Sequence, residues 1–176
     1  MTGAEEVIKL YQLLESHHIP IWLTGGWGID ALLGKQTRPH KDLDVIMLLD
    51  DVKRMCDLLA KHGYTLEMLW EENRFAVDSM GNQVATAFVL QHANGCQLDA
   101  HAMTLDAHGN GIPAWEEAED FIFTQAELSG QGVITELNVP CITPESQIKC
   151  HTGYELPEKQ KTDLALLQAK FGNKSA

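Results

Sequence analysis

The sequence predicts an α+β fold with a mixed, mostly antiparallel sheet and a helical C-terminal portion. Three observations carry this. Apolar residues recur at helical spacing in Val7–Leu14 and again in Val52–Leu59, and the chain after Gly63 breaks into short strand-like runs. Met80-Gly81-Asn82 and Asn94-Gly95 join those runs as hairpins, where a parallel α/β chain would interpose helices.

In chain order, Thr2 followed by Glu5 fits a capping box for a helix carrying Val7, Leu10, Tyr11 and Leu14 on one face. Pro20 to Leu23 is a short apolar run that stops at Gly25-Gly26, as a buried strand would. Trp27 to Leu33 reads as a short helix closed by Gly34. Lys35 to Lys41 is polar loop, and Asp42 to Met47 is a strand. Asp51 to His62 places Val52, Met55 and Leu59 on one helical face and ends at Gly63. Tyr64–Leu69, Arg74–Ser79, Val84–Leu90 and Cys96–Met103 are the strand-like runs. Leu105 to Ala118 reads as an irregular surface excursion, and Gly132–Thr135 with Val139–Ile142 as another hairpin. Thr143-Pro144 starts a helix, with threonine as cap and proline in the first turn. A last helix covers about Glu158 to Phe171. There is no internal repeat or low-complexity tract. The expected division is a core over 1–103, followed over 104–176 by a sheet extension and C-terminal helices.

A chain of 176 residues suffices for one compact domain with a real core, or two small lobes. No stretch approaches the roughly 20 apolar residues that span a bilayer, so no membrane partner is expected. Met1 to Glu6 carries acids where a signal peptide would carry lysines, which points to a cytoplasmic protein. Cys56, Cys96, Cys141 and Cys150 form no CxxC pair and read as reduced thiols. The net charge of −12 repels a phosphate backbone, so no nucleic-acid surface is expected. The same field attracts a cationic small molecule, although it also serves plain solubility.

Asp42 and Asp44 lie two apart on the predicted strand, so both carboxylates share a face while Leu43 and Val45 enter the core. Two such carboxylates repel each other unless a cation is near, and hard oxygen ligands suit Mg²⁺. Asp99 is a third acid in a strand context. On a neighbouring strand it would complete a site for metal ions, or take a proton from an attacking hydroxyl. An isolated Asp-x-Asp pair more often caps a turn; the preceding segment distinguishes this one. Gly25-Gly26 follows a strand and opens a helix, where free N–H groups and absent side chains admit phosphate. Arg38 and His40, in the intervening loop, either meet that triphosphate or are simply solvated. A rival motif overlaps: Gly26-Trp27-Gly28-Ile29-Asp30-Ala31 fits the dinucleotide-binding fingerprint, but the chain then turns to hairpins. Trp70, Trp115, Phe121 and Phe123 are available as apolar pocket walls, and Glu116, Glu117, Glu119 and Asp120 as carboxylates for a cationic ligand. His151 and Tyr154 either reach a ligand or pack at a helix end.

The blocks Trp22-Leu23-Thr24-Gly25-Gly26-Trp27-Gly28-Ile29-Asp30 and Arg38-Pro39-His40-Lys41-Asp42-Leu43-Asp44, with Asp99 and His151 to Leu156, closely resemble antibiotic nucleotidyltransferases of the DNA polymerase β superfamily. They look most like the small lincosamide nucleotidyltransferases, and next most like the aminoglycoside 2″-adenylyltransferases. The resemblance implies a nucleotidyltransferase fold, with the helical C-terminal part helping to bind the acceptor. It implies metal-dependent transfer of a nucleoside monophosphate from ATP or GTP to a hydroxyl of a cationic antibiotic, a lincosamide before an aminoglycoside. It makes Asp42 and Asp44 metal ligands, Asp99 the third carboxylate and base, and Gly25 and Gly26 the seat of the triphosphate. Residues 66–90 and 105–132 depart more from the family pattern and are where the acceptor pocket is shaped. A homodimer is compatible with this reading. Toxin–antitoxin partners and catalytically idle modules also use the fold, but an idle copy would not be expected to keep all three acids.

Overall fold

In the computed structural model, residues 1–116, 118, 121–152 and 155–172 are described. Helix α1 (Ala4–Ser16) buries Val7, Leu10, Tyr11 and Leu14, the face expected from their spacing. The capping box is not formed. Gly3 is the N-cap, without a side-chain bond. Thr2 instead turns to the loop ahead of the acids: its N–H donates to the His40 carbonyl and its hydroxyl to the Lys41 carbonyl. The Thr2 hydroxyl also accepts from the Gln97 N–H, so long-range pairing outcompetes the local cap.

Strand β1 (Ile21–Thr24) runs directly into α2 (Gly25–Leu33), which starts two residues before the expected Trp27. Gly34, at φ 73°, closes α2 in the left-handed conformation. Next come β2 (Leu43–Leu48), a 3₁₀ turn and α3 (Val52–Lys61). Seven strands follow: β3 (Tyr64–Leu69), β4 (Phe75–Val77), β5 (Gln83–Ala85), β6 (Ala87–His92), β7 (Gln97–Leu105), β8 (Gly111–Pro113) and β9 (Gly130–Ile134). Strand β10 (Leu137–Cys141), α4 (Pro144–Cys150) and α5 (Glu158–Phe171) complete the order.

The main sheet runs β3-β6-β7-β2-β1-β10-β9, with β8 beside the far part of β7. Only β2–β7 and β1–β10 are parallel among its pairings, so the sheet is mixed and mostly antiparallel. Two local expectations are corrected. The Val84–Leu90 run divides at Thr86, where the Asn73 side chain takes the Thr86 and Ala87 N–H groups and separates β5 from β6. The supposed surface excursion contains β8, whose Gly-Ile-Pro sequence has no strand signature; pairing with β7 supplies its order. The dinucleotide reading also fails, because β1 and β2 are antiparallel and no βαβ unit exists there.

Along β2 the faces alternate. Leu43, Val45 and Met47 enter the main core with Leu14, Leu23, Trp27, Met55, Leu59 and Leu98. Ile46 joins a smaller cluster with Met103, Phe123, Leu128 and Ile142 on the face that also bears Asp44. The large core therefore backs the sheet, and the acids project from the thinly covered side. No helix among the described residues is long and apolar enough to cross a membrane.

Candidate active site

Sheet register builds the acid cluster. Thr24 pairs with Asp44 across β1–β2, and Asp44 with Asp99 across β2–β7, so three strands set these residues in one row. Asp42 lies just before β2 on the same side. Carboxylate oxygens of Asp42, Asp44 and Asp99 all lie within 4.8 Å of one another. Desolvation, and then the charges of Asp42 and Asp99, push the Asp44 carboxyl up to about 8, while a bond from the Gly26 N–H pulls the other way. Such a cluster is unfavourable as three bare anions. A hard dication relieves it, and an all-carboxylate donor set suits a magnesium-type ion.

The glycine turn abuts these acids. Gly25 has φ 56°, and a Cβ there would run into the Asp44 carboxylate. A Cβ on Gly26 would enter the His40 ring and approach Arg38 Nη2 at 3.2 Å. The loop bearing Arg38 and His40 is pinned rather than solvated. His40 is buried and its Nε2 is bonded to buried Asp30, which also accepts from the Thr37 N–H and hydroxyl. Arg38 donates through Nε and Nη2 to buried Asp163 of α5, at 2.7 Å for the shortest bond. Both side chains thus face the turn with their orientation set by a carboxylate behind them.

On the other flank, Trp70 Nε1 donates to Asp99 Oδ1 at 2.9 Å. His101 lies 3.4 Å from Asp99 through Nδ1 and 3.3 Å from Glu72 through Nε2, with its ring edge-on to Trp115. Burial works to lower its pKa, but the bonds and charges of Asp99 and Glu72 prevail and raise it.

One cavity of about 510 Å³ unites these groups. Gly25, Gly26, Arg38, His40, Asp42, Asp44 and Asp99, all selected from sequence, line it, as do Trp70, Trp115, Phe123 and His151. Phe121 does not; it packs against Phe123 and beneath the Lys149 ammonium. Glu116 lines a smaller neighbouring cavity with Glu71, Glu72 and Trp115. Tyr154, Glu117, Glu119 and Asp120 lie outside the described residues. Sequence reasoning missed Asp30, Glu72, His101, Lys159 and Asp163. Asp30 sits inside the glycine block and carried a signal. Asp163 carried none, because its partner lies far away in the chain.

Residues 6–167 match the aminoglycoside-2″-adenylyltransferase family. The chain belongs to this family. It is a nucleotidyltransferase, and the match spans every site residue named above. A lincosamide resistance protein of Staphylococcus haemolyticus is 28% identical over 165 residues, covering 94% of each chain. A 2″-aminoglycoside nucleotidyltransferase of Klebsiella pneumoniae is 42% identical over 43 residues, 23% of this chain and 24% of its own. Among solved structures, a lincomycin-bound lincosamide antibiotic adenylyltransferase superposes with TM-score 0.79 at 27% identity, covering 96% of this chain and 98% of its own. The aminoglycoside enzyme ANT(2″)-Ia, solved with adenylyl-2″-tobramycin, shares the fold at TM-score 0.68 and 19% identity, covering 97% and 90%.

Proposed function

We propose that this enzyme transfers a nucleoside monophosphate from magnesium-bound ATP or GTP to a hydroxyl of a lincosamide antibiotic, and so confers resistance in the cytoplasm. The observation that carries the reading is the row Asp42, Asp44 and Asp99 facing the Gly25-Gly26 turn in a single cavity. The three carboxylates would hold Mg²⁺, which when bound neutralises charge on the triphosphate. Gly25 and Gly26 leave room for phosphate, Arg38 presents N–H donors to it, and the His40 ring stands beside it. Asp99, held by Trp70, takes the proton of the acceptor hydroxyl. The acceptor oxygen then bonds to the α-phosphorus, the bond to the bridging oxygen breaks, and pyrophosphate leaves. In this reading residues 1–103 are the nucleotidyltransferase core, and Trp115, Phe123 and His151 from residues 104–176 wall the acceptor side.

Likeness to the lincosamide enzymes over nearly the whole chain supports the acceptor, and the aromatic walls suit a ligand with one amine and an apolar tail. The test supplies Mg²⁺, ATP or GTP, and either lincomycin or a kanamycin-type drug, and weighs the products by mass. Nucleotidylated lincomycin is expected. Modification of the aminoglycoside alone would overturn the acceptor, an outcome that Glu71, Glu72 and Glu116 around the neighbouring cavity would then explain. Modification of neither would overturn antibiotic transfer.

A further inference from the structure

The C-terminal helix does more than cover the core. Its Leu164 and Leu167 are buried in the main cluster, and Lys170 donates to the carbonyls of Leu32 and Leu33 at the end of α2, at 3.0 Å each. Those carbonyls have no partner within α2, so the lysine satisfies them and fastens α5 to that helix. The opposite end of α5 reaches the glycine turn at which α2 begins. There Asp163, 3% exposed, grips Arg38 through both carboxylate oxygens, leaving Arg38 Nη2 against Gly26. Lys159 precedes Asp163 by one helical turn and lines the same cavity.

We infer that α5 completes the triphosphate subsite, with Asp163 as the positioning residue for Arg38 and Lys159 as an added phosphate ligand. The helix thereby serves the nucleotide and not the acceptor. The reasoning is electrostatic. A triphosphate brings several negative charges into a cavity that already holds three clustered carboxylates, and Arg38 with the exposed Lys41 of the same lining is a small counterweight. A guanidinium held by a buried carboxylate loses no conformational freedom when phosphate arrives, and the Lys159 ammonium on the rim adds a further cation. This inference rests on the nucleotidyl-transfer reading, so its test separates the two.

The probe is inorganic tripolyphosphate with Mg²⁺, which needs no choice of base, titrated calorimetrically into the full chain. Lys159→Ala truncates an exposed side chain and leaves folding intact; it should weaken tripolyphosphate binding by about tenfold, the scale of one charge-assisted contact. Asp163→Asn should weaken it by at least as much, and should have no further effect in an Arg38→Ala background, where there is nothing left to position. In turnover, both single variants should raise the KM for triphosphate and leave the KM for the acceptor unchanged. Unaltered tripolyphosphate affinity in Lys159→Ala and Asp163→Asn, or a raised acceptor KM alone, would overturn the inference while nucleotidyl transfer stands. Failure of the wild-type chain to bind the probe at all would overturn the inference, and wild-type turnover measured alongside reads nucleotidyl transfer separately.

Discussion

At the scale of single residues, the decisive feature is charge held against its own repulsion. Asp44 has a folded-state pKa near 8, above that of an ordinary aspartate, so the folded chain holds a proton that the unfolded chain has released. Stability of the metal-free protein should therefore fall as pH rises from about 4 towards 8, because the folded state binds more protons across that window. Asp44→Asn should flatten this slope and match or exceed the wild-type melting temperature at pH 8, while turnover falls on the order of 10³-fold or more. A thermal melt series across pH, with and without Mg²⁺, together with an assay of released pyrophosphate, reads both effects. The glycine turn makes a complementary case. Gly26→Val would drive a side chain into the His40 ring and the space above the turn. Calorimetry should show loss of triphosphate binding, accompanied by a lower melting temperature because the buried His40 ring must shift; unchanged affinity would detach the turn from the phosphates.

At the scale of elements, the loop between α2 and β2 shows how irregular backbone is made rigid. Asp30 sits on α2 but spends its carboxylate on that loop, accepting from His40 and from the Thr37 N–H and hydroxyl. Buried carboxylates keep such partners because an unpaired charge in the interior costs several kcal/mol. Asp30→Ala should lower stability by about 3 kcal/mol, the usual scale for breaking a buried pair. Hydrogen exchange at the Thr37 amide should accelerate more than at Leu98, which lies in the interior strand β7. Equal acceleration at both would mean global destabilisation instead of a released loop. The local signals in Lys35–Lys41 read as polar loop, and nothing in them distinguishes a pinned loop from a solvated one.

At the scale of the whole molecule, the site exists only where β1, β2 and β7 lie side by side with α2 and α5 around their ends. Any ligand that bridges these elements should stabilise all of them together. Mg²⁺ with triphosphate at 100 times its Kd should raise unfolding free energy by about 2.7 kcal/mol, visible as a higher melting temperature that a chelator reverses. Asp44→Asn should lose most of that gain.

Much of this protein was legible in its sequence. Helical spacing marked α1 and α3, glycine turns marked the hairpins, and alternation along Asp42-Leu43-Asp44-Val45 assigned acids to one face and core residues to the other. These are local properties, written in side-chain period and backbone preference. Tertiary structure decided what local period cannot carry: that β7 lies parallel to β2 with Asp99 opposite Asp44, that Thr2 leaves its cap for the site loop, and that Asp163 meets Arg38. Strand order and long-range ion pairs follow from which arrangement buries the most apolar surface while satisfying every buried charge, a balance struck over the whole chain at once.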